Sequence, residues 1–140
     1  MSDLFAMRRE FIRRFDIPAP ETPRFAPENL AMWETMLSEE WAEFQQALAA
    51  YKAHDAGDET ADTHTMAELA AEGVDVLNVL VGLLLSQGLP VEAMTRAIHD
   101  ANLRKCVGGK VLRRADGKVL KPAGWQPADK EGVIRAARQD

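Results

Sequence analysis

The feature that most constrains this chain is an almost wholly apolar stretch in its middle. Nine of the twelve residues 74–85 are valine or leucine, and the exceptions are Asp75, Asn78 and Gly82. A helix that spans a membrane needs about 20 apolar residues, and this stretch is shorter. A helix that is apolar on nearly all sides must be covered on all sides, which the few other helices of a 140-residue chain can hardly do. We therefore expect a homo-oligomer, with a dimer as the simplest form; the alternative is a monomer with this helix at its centre.

The residues before this stretch predict two helices and a strap. The spacing of apolar residues predicts a short amphipathic helix over residues 4–15 and a long helix over residues 28–51. Between them, four prolines within residues 16–27 exclude regular helix and predict an extended segment. The polar residues 54–63 predict a loop after the long helix.

Capping signals predict two further helices. Thr65 and Glu68 form a capping-box pattern that would open the apolar helix, and Gly88 would end it. Pro90 is suited to the first position of a fourth helix, which we expect to reach about residue 104. The last dozen residues predict a terminal helical turn.

A basic segment follows the fourth helix. Residues 104–121 carry seven basic residues and one acid, a net charge of +6, whereas the rest of the chain carries −11. Within this segment, Asp116 and Gly117 predict the turn of a short hairpin. Such a segment could bind an anion, bind nucleic acid, or simply be a solvated surface.

These elements predict one all-α domain over residues 1–140. We expect an oligomeric four-helix-type bundle with a helical core over about residues 28–104 and a short basic β-hairpin or loop tail over residues 105–128. The charged N-terminus is unlike a secretory signal, and a single cysteine excludes a disulfide framework. We therefore expect a cytoplasmic protein that does not bind a membrane.

Two pairs of acidic residues stand beside surfaces that must pack. Glu40 and Glu43 lie three residues apart on the long helix, and Glu72 and Asp75 lie three apart on the apolar helix, so each pair shares one helical face. Carboxylates at such positions are costly unless something positive compensates them.

The chain offers these acids little basic compensation. Residues 25–95 contain only one basic residue apart from histidine, Lys52. A hard divalent cation would compensate the acids, because carboxylate oxygens suit Mg²⁺ or Mn²⁺; the alternative is a solvated acidic face. A carboxylate-bound Mg²⁺ is typical of phosphate chemistry, and the basic segment would supply phosphate-binding donors.

The motifs that carry these acids resemble a known family. The pattern EExxE (Glu39, Glu40, Glu43) followed on the next helix by ExxD (Glu72, Asp75) resembles the MazG-like all-α nucleoside triphosphate pyrophosphatase superfamily. The N-terminal strap is also similar. The ending, with Asn-x-x-Lys, a Gly-Lys hairpin and GKxxKPxG(aromatic)xP, looks like that of one branch, whose relatives include dUTP-hydrolysing enzymes. Phosphoribosyl-ATP pyrophosphohydrolases share the helical core but are usually shorter and lack this tail.

The resemblance implies hydrolysis of a nucleotide to a monophosphate and pyrophosphate. It implies that Glu40, Glu43, Glu72 and Asp75 bind Mg²⁺, with Mn²⁺ as a substitute, and that Glu39 binds a further metal ion or orients the attacking water. Glu39 and Glu40 are the candidate catalytic residues. The candidates for substrate contacts are Asn78, Asn102, Lys105, Lys118, Lys121 and Trp125.

The substrate expected from this resemblance is dUTP or a related dNTP, in a house-cleaning role for the nucleotide pool. The alternatives are phosphoribosyl-ATP or a broad range of nucleotides. Asn78 could read a uracil edge, because an amide both donates and accepts, or it could face a partner subunit. A competing class is a non-enzymatic helical module that docks nucleic acid through its basic tail, but this class gives no role to the paired acids.

Overall fold

A computed structural model describes residues 3–139 of the chain. Within those residues there are five α-helices, one 3₁₀ helix and no strand, which confirms the all-α class. Contacts divide the chain into two compact units, Met1–Leu89 and Pro90–Asp140. The α-helices are α1 (Leu4–Arg14), α2 (Leu30–Ala53), α3 (Glu59–Leu85), α4 (Val91–Leu103) and α5 (Lys130–Arg138), and the 3₁₀ helix Pro27–Asn29 precedes α2.

The core of the first unit is the antiparallel pair α2 and α3. Trp33 of α2 is buried and lies against Gly82 of α3 so closely that a Cβ atom on Gly82 would be 2.2 Å from the indole Cζ3. Further along the pair, a Cβ atom on Gly73 would be 3.5 Å from the Phe44 ring, an ordinary contact. The glycine that interrupts the apolar stretch therefore makes room for a tryptophan.

The proline-rich strap is fastened to the end of α3. The side-chain amide of Gln87 pairs with the backbone of Ala26, accepting from its N–H and donating to its carbonyl, both at 2.8 Å. The Arg24 N–H donates to the Gln87 carbonyl at 3.0 Å. Gly88, with φ +67, passes so close to the strap that a Cβ atom would be 2.2 Å from the Thr22 carbonyl oxygen. The end of α3 thus fixes the course of the strap.

The start of α3 differs from the prediction. The helix begins at Glu59, because the Asp58 carboxylate caps it by accepting from the backbone N–H groups of Thr60 and Ala61. Thr65 lies inside the helix, where its hydroxyl donates to the Ala61 carbonyl at 2.8 Å. The predicted capping box and the long loop were therefore wrong, since an aspartate cap with acids in the next turn is the stronger helix start.

The second unit contains α4, α5 and the basic segment between them. The predicted turn forms, because the Arg114 N–H donates to the Lys118 carbonyl and the Gly117 N–H to the Arg114 carbonyl, both at 2.8 Å. In the described part of the chain, however, this segment makes only two isolated antiparallel bridges, Val107 with Lys110 and Arg113 with Val119. The tail is a looped segment and the β-hairpin is not confirmed, because two short strands with no covering layer are marginal. The expected terminal turn is the nine-residue helix α5.

The apolar stretch is only partly covered within one chain. Val79, Val81 and Leu85 are buried, whereas Val74, Leu77 and Leu80 are each between 40% and 50% exposed. These three residues lie three apart along one side of α3. No helix in residues 3–139 is long and apolar enough to cross a membrane.

Candidate functional site

Three of the predicted acids meet between α2 and α3. Each of Glu40, Glu43 and Glu72 offers a carboxylate oxygen within 4.8 Å of the other two. Glu40 and Glu43 are brought to one side of α2 by their spacing, and Glu72 lies opposite them, next to Gly73, where α3 packs against the Phe44 ring of α2. We call these three residues the acidic cluster. Glu43 is exposed, and the other two are half-buried.

Two oxygens of this cluster, Glu40 Oε2 and Glu72 Oε2, are buried and make no hydrogen bond within the described residues. A buried carboxylate oxygen that neither water nor a donor satisfies is costly. Burying these carboxylate oxygens costs free energy in the protein alone. Such an arrangement is expected at a site that binds a cation.

The electrostatics of the cluster agree with this view. Burial raises the pKa of Glu40, and the charges of Glu43, Asp75 and Glu72 raise it further. Burial likewise raises the pKa of Glu72, together with the charges of Glu43, Asp75 and Glu68. Glu40 and Glu72 therefore resist ionisation, first because they are partly buried and then because other acids lie beside them.

These residues fit a divalent cation. Three converging carboxylates, two of them with an unpartnered buried oxygen, form a hard, all-oxygen donor set suited to Mg²⁺ or Mn²⁺. Asp75 lies near enough for its charge to act on Glu40 and Glu72, although it is not one of the three residues whose oxygens converge.

The structure also adds an acid that sequence reasoning missed. Glu68 raises the pKa of Glu72, yet its position three residues after Thr65 had suggested a role in a helix cap. Glu68 and Glu72 are four residues apart, and residues with this spacing share one face of a helix. The spacing therefore indicates that Glu68 lies near Glu72.

Two predicted site residues of this unit lie apart from the converging oxygens. Glu39 is exposed on α2 and does not belong to the acidic cluster that the described residues form. Asn78 is half-buried on α3, six residues beyond Glu72.

In the second unit, three of the predicted substrate residues come together. The Trp125 indole N–H donates to the Ala101 carbonyl at 2.7 Å, which anchors the ring against α4. The ammonium groups of Lys105 and Lys121 lie 5.2 and 5.3 Å from the centre of that ring, within the range of cation–π attraction. Asn102 and Lys118 are exposed.

Comparison with known proteins supports the motif analysis. The family model described as phosphoribosyl-ATP pyrophosphohydrolase (PRA-PH) matches residues 8–102, which is more than half of the chain. This range includes the acidic cluster and ends before the basic segment. The match confirms the resemblance to the MazG-like all-α pyrophosphatases. No curated protein matches the chain.

Proposed function

Because this chain belongs to the phosphoribosyl-ATP pyrophosphohydrolase family, we propose that it hydrolyses a nucleotide between its α and β phosphates. Water adds across the phosphoanhydride bond, so the products are a monophosphate and pyrophosphate. The observation that carries this proposal is the acidic cluster, Glu40, Glu43 and Glu72, in which two buried oxygens make no hydrogen bond to any residue that the structure describes.

The acidic cluster would hold Mg²⁺, with Mn²⁺ as a substitute, and Asp75 would add its charge or complete the ligand set. When bound, such an ion polarises phosphate oxygens and neutralises charge that develops during hydrolysis. Glu40 would also be placed to accept a proton from the attacking water. Glu39 would orient that water or bind a further ion.

The second unit would bind the charged and aromatic parts of the substrate. Lys105 and Lys121 present two ammonium groups around the anchored Trp125 ring. Ammonium groups pair with phosphate oxygens, and an indole face can stack on a base or sugar. We propose Lys118 and Asn102 as further contacts to phosphate and sugar.

Two substrates have support from different parts of the chain. The tail motif that resembles dUTP-hydrolysing relatives favours dUTP or a related dNTP, and Asn78 would then read the base. The family match, which ends at residue 102 and so does not include that tail, favours phosphoribosyl-ATP. We propose dUTP as the first substrate to test and phosphoribosyl-ATP as the second.

We also propose a homodimer, formed through the exposed side of α3. Val74, Leu77 and Leu80 are uncharged neighbours on that side and remain between 40% and 50% exposed in one chain. A second copy of the same helix would cover them by symmetry. Sedimentation of Leu77→Glu against the wild type tests this, because a charge at the centre of the interface should shift the protein to monomer. An unchanged dimer in that variant would show that the interface lies elsewhere.

The activity is tested by pyrophosphate release with Mg²⁺ on a panel of NTPs and dNTPs that includes dUTP, dUDP and phosphoribosyl-ATP. Glu43→Gln should lose activity on every substrate that the wild type cleaves, and Glu34→Gln, an exposed acid of α2, is the matched control. A sharp preference for dUTP or for phosphoribosyl-ATP decides between the two candidates, and a broad profile indicates a general scavenger.

If no nucleotide of the panel is hydrolysed, the nucleic-acid-binding alternative is favoured instead. That alternative predicts salt-sensitive binding of DNA or RNA that depends on residues 104–121. Full activity of Glu43→Gln would contradict the proposed role of the acidic cluster, whichever substrate is cleaved.

A further inference from the structure

A half-buried histidine joins the two core helices at their connected ends. His54 directly follows the last residue of α2, and its side chain is only 14% exposed. Its Nδ1 lies against the Tyr51 carbonyl oxygen at the end of α2. Its Nε2 lies against a carboxylate oxygen of Asp62, in the first turn of α3. One imidazole ring therefore spans the α2–α3 connection.

Both partners of the ring are acceptors. A carbonyl oxygen has no proton to donate, and an ionised carboxylate has none either. A neutral imidazole carries a single N–H and can satisfy only one of these two contacts. The imidazolium carries two N–H groups and satisfies both. The geometry therefore selects the doubly protonated ring.

We propose that His54 is a pH-sensitive clamp that holds the end of α2 to the start of α3 while it is protonated and releases them as the pH rises. The groups that face the ring are Asp62 from α3, Asp55 from the connection, and Tyr51 from α2, whose ring centre lies 5.4 Å from that of His54. Two acids and a carbonyl surround the ring, so its positive charge is compensated.

The electrostatic environment agrees with this geometry. The hydrogen bond to the Tyr51 carbonyl raises the pKa of His54, as do the hydrogen bond and the charge of Asp62, while burial acts in the opposite direction. A histidine whose pKa is raised by folding adds stability that is fully present below its unfolded pKa of about 6.5. That stability is lost as the pH rises through the folded pKa.

The clamp is separate from the acidic cluster but lies on the same two helices. His54 follows Glu43 by eleven residues, and Asp62 precedes Glu72 by ten, so at 1.5 Å per residue the two places are about 15 Å apart. Release at high pH would loosen the connected end of α2 and α3 and leave the acidic residues in place. The inference does not depend on the proposed activity.

Proton NMR titration of His54 tests the clamp in the intact protein. The Cε1 proton of His54 should titrate above about pH 6.5, the ordinary value for a histidine, and Asp62→Asn should move that titration to lower pH. A His54 that titrates at or below the ordinary value, or that does not respond to Asp62→Asn, would overturn the proposal.

Thermal unfolding over a pH series provides the second measurement. The wild type should be more stable than His54→Gln near neutral and mildly acidic pH, and the difference should vanish at alkaline pH. His64→Gln, which removes an exposed histidine of α3 instead, is the matched control for the loss of an imidazole ring. A difference between wild type and His54→Gln that stays constant with pH would show that the ring contributes packing alone.

Discussion

Two regions of the α2–α3 pair, seven residues apart on α2, make opposite contributions to the stability of the protein. At Trp33 the helices approach over Gly82, with an indole that is buried and no space for a Cβ atom. At Glu40 the same helices bring carboxylates together, and two buried oxygens make no hydrogen bond within residues 3–139. The first region contributes packing and is favourable by itself. The second is unfavourable until something positive binds there.

The comparison shows how packing in one region can hold together acidic residues that repel one another in the next. The separation along α2 is only about 10 Å, so the close contact at Trp33 fixes the distance between the helices at the acidic cluster as well. Changes in the two regions should consequently have different signatures. Packing changes should lower stability, and changes to the acids should remove activity while relieving repulsion.

The largest effect is expected from Glu72→Gln. Since a metal ion supplies several kcal/mol of charge stabilisation in such reactions and about 1.4 kcal/mol corresponds to a tenfold change in rate, activity should fall by about 100-fold or more. The same variant should unfold at a higher temperature than the wild type when both are free of metal, because an amide replaces a carboxylate whose pKa the fold raises. Pyrophosphate release and thermal unfolding in EDTA measure the two effects.

Added Mg²⁺ sharpens this test. It should raise the unfolding temperature of the wild type, since a ligand that binds only the folded state stabilises it, and it should leave Glu72→Gln unchanged. A variant that loses activity and stability together would instead mean that Glu72 has a structural role.

The next largest effect is expected from Gly82→Ala. A methyl group there would meet the Trp33 ring at 2.2 Å, and overpacking of this kind costs about 1–3 kcal/mol. Gly73→Ala is the matched control on the same helix, because its methyl group would make an ordinary 3.5 Å contact with Phe44 and alanine favours a helix by about 1 kcal/mol over glycine. Urea unfolding should show a clear loss for the first variant and little change or a gain for the second.

An effect of similar size is expected at the strap. Gln87→Ala removes both hydrogen bonds to the Ala26 backbone, which should cost about 1–3 kcal/mol because buried backbone groups are left unsatisfied. Limited proteolysis should then cut residues 17–26 faster than in the wild type. Equal cleavage rates would indicate that Gly88 and the Arg24 hydrogen bond hold the strap without Gln87.

The smallest effect is a pH dependence of the metal-free protein. Folding raises the pKa of Glu40 and Glu72, so their contribution to stability is fully present below the unfolded pKa and is lost as the pH rises through the folded pKa. The gap in unfolding temperature between Glu72→Gln and the wild type should therefore narrow as the pH falls. A gap that is independent of pH would contradict the electrostatic origin of the unfavourable site.

Short-range patterns in the sequence were enough to find three members of the acidic cluster. Glu40 and Glu43 share a face because of helical geometry alone, and the single lysine within residues 25–95 indicated that this part of the chain offers them little compensation. The same reasoning placed Asp75 beside Glu72 but could not show that its oxygens lie outside the converging three. It also assigned Glu68 to a helix cap, because the Asp58 cap that starts α3 earlier was not recognised.

The basic segment shows where such patterns fail. The Asp116-Gly117 turn was predicted correctly, because the conformation of a turn depends on neighbouring residues. The strands on either side require another layer of structure to pack against, which a local sequence pattern does not reveal. The contact of Lys105 and Lys121 with Trp125 joins residues up to twenty apart, and it depends on the bond from the indole to the Ala101 carbonyl.

The sequence alone determined the all-α class, the strap, and the helical faces that carry the acids, because apolar periodicity and proline act over a few residues. Only the tertiary structure decided which acids converge, which glycine admits Trp33, and where Gln87 fastens the strap. Each of these depends on the distance between elements far apart in the chain, and that distance is fixed by side-chain packing across the whole α2–α3 pair.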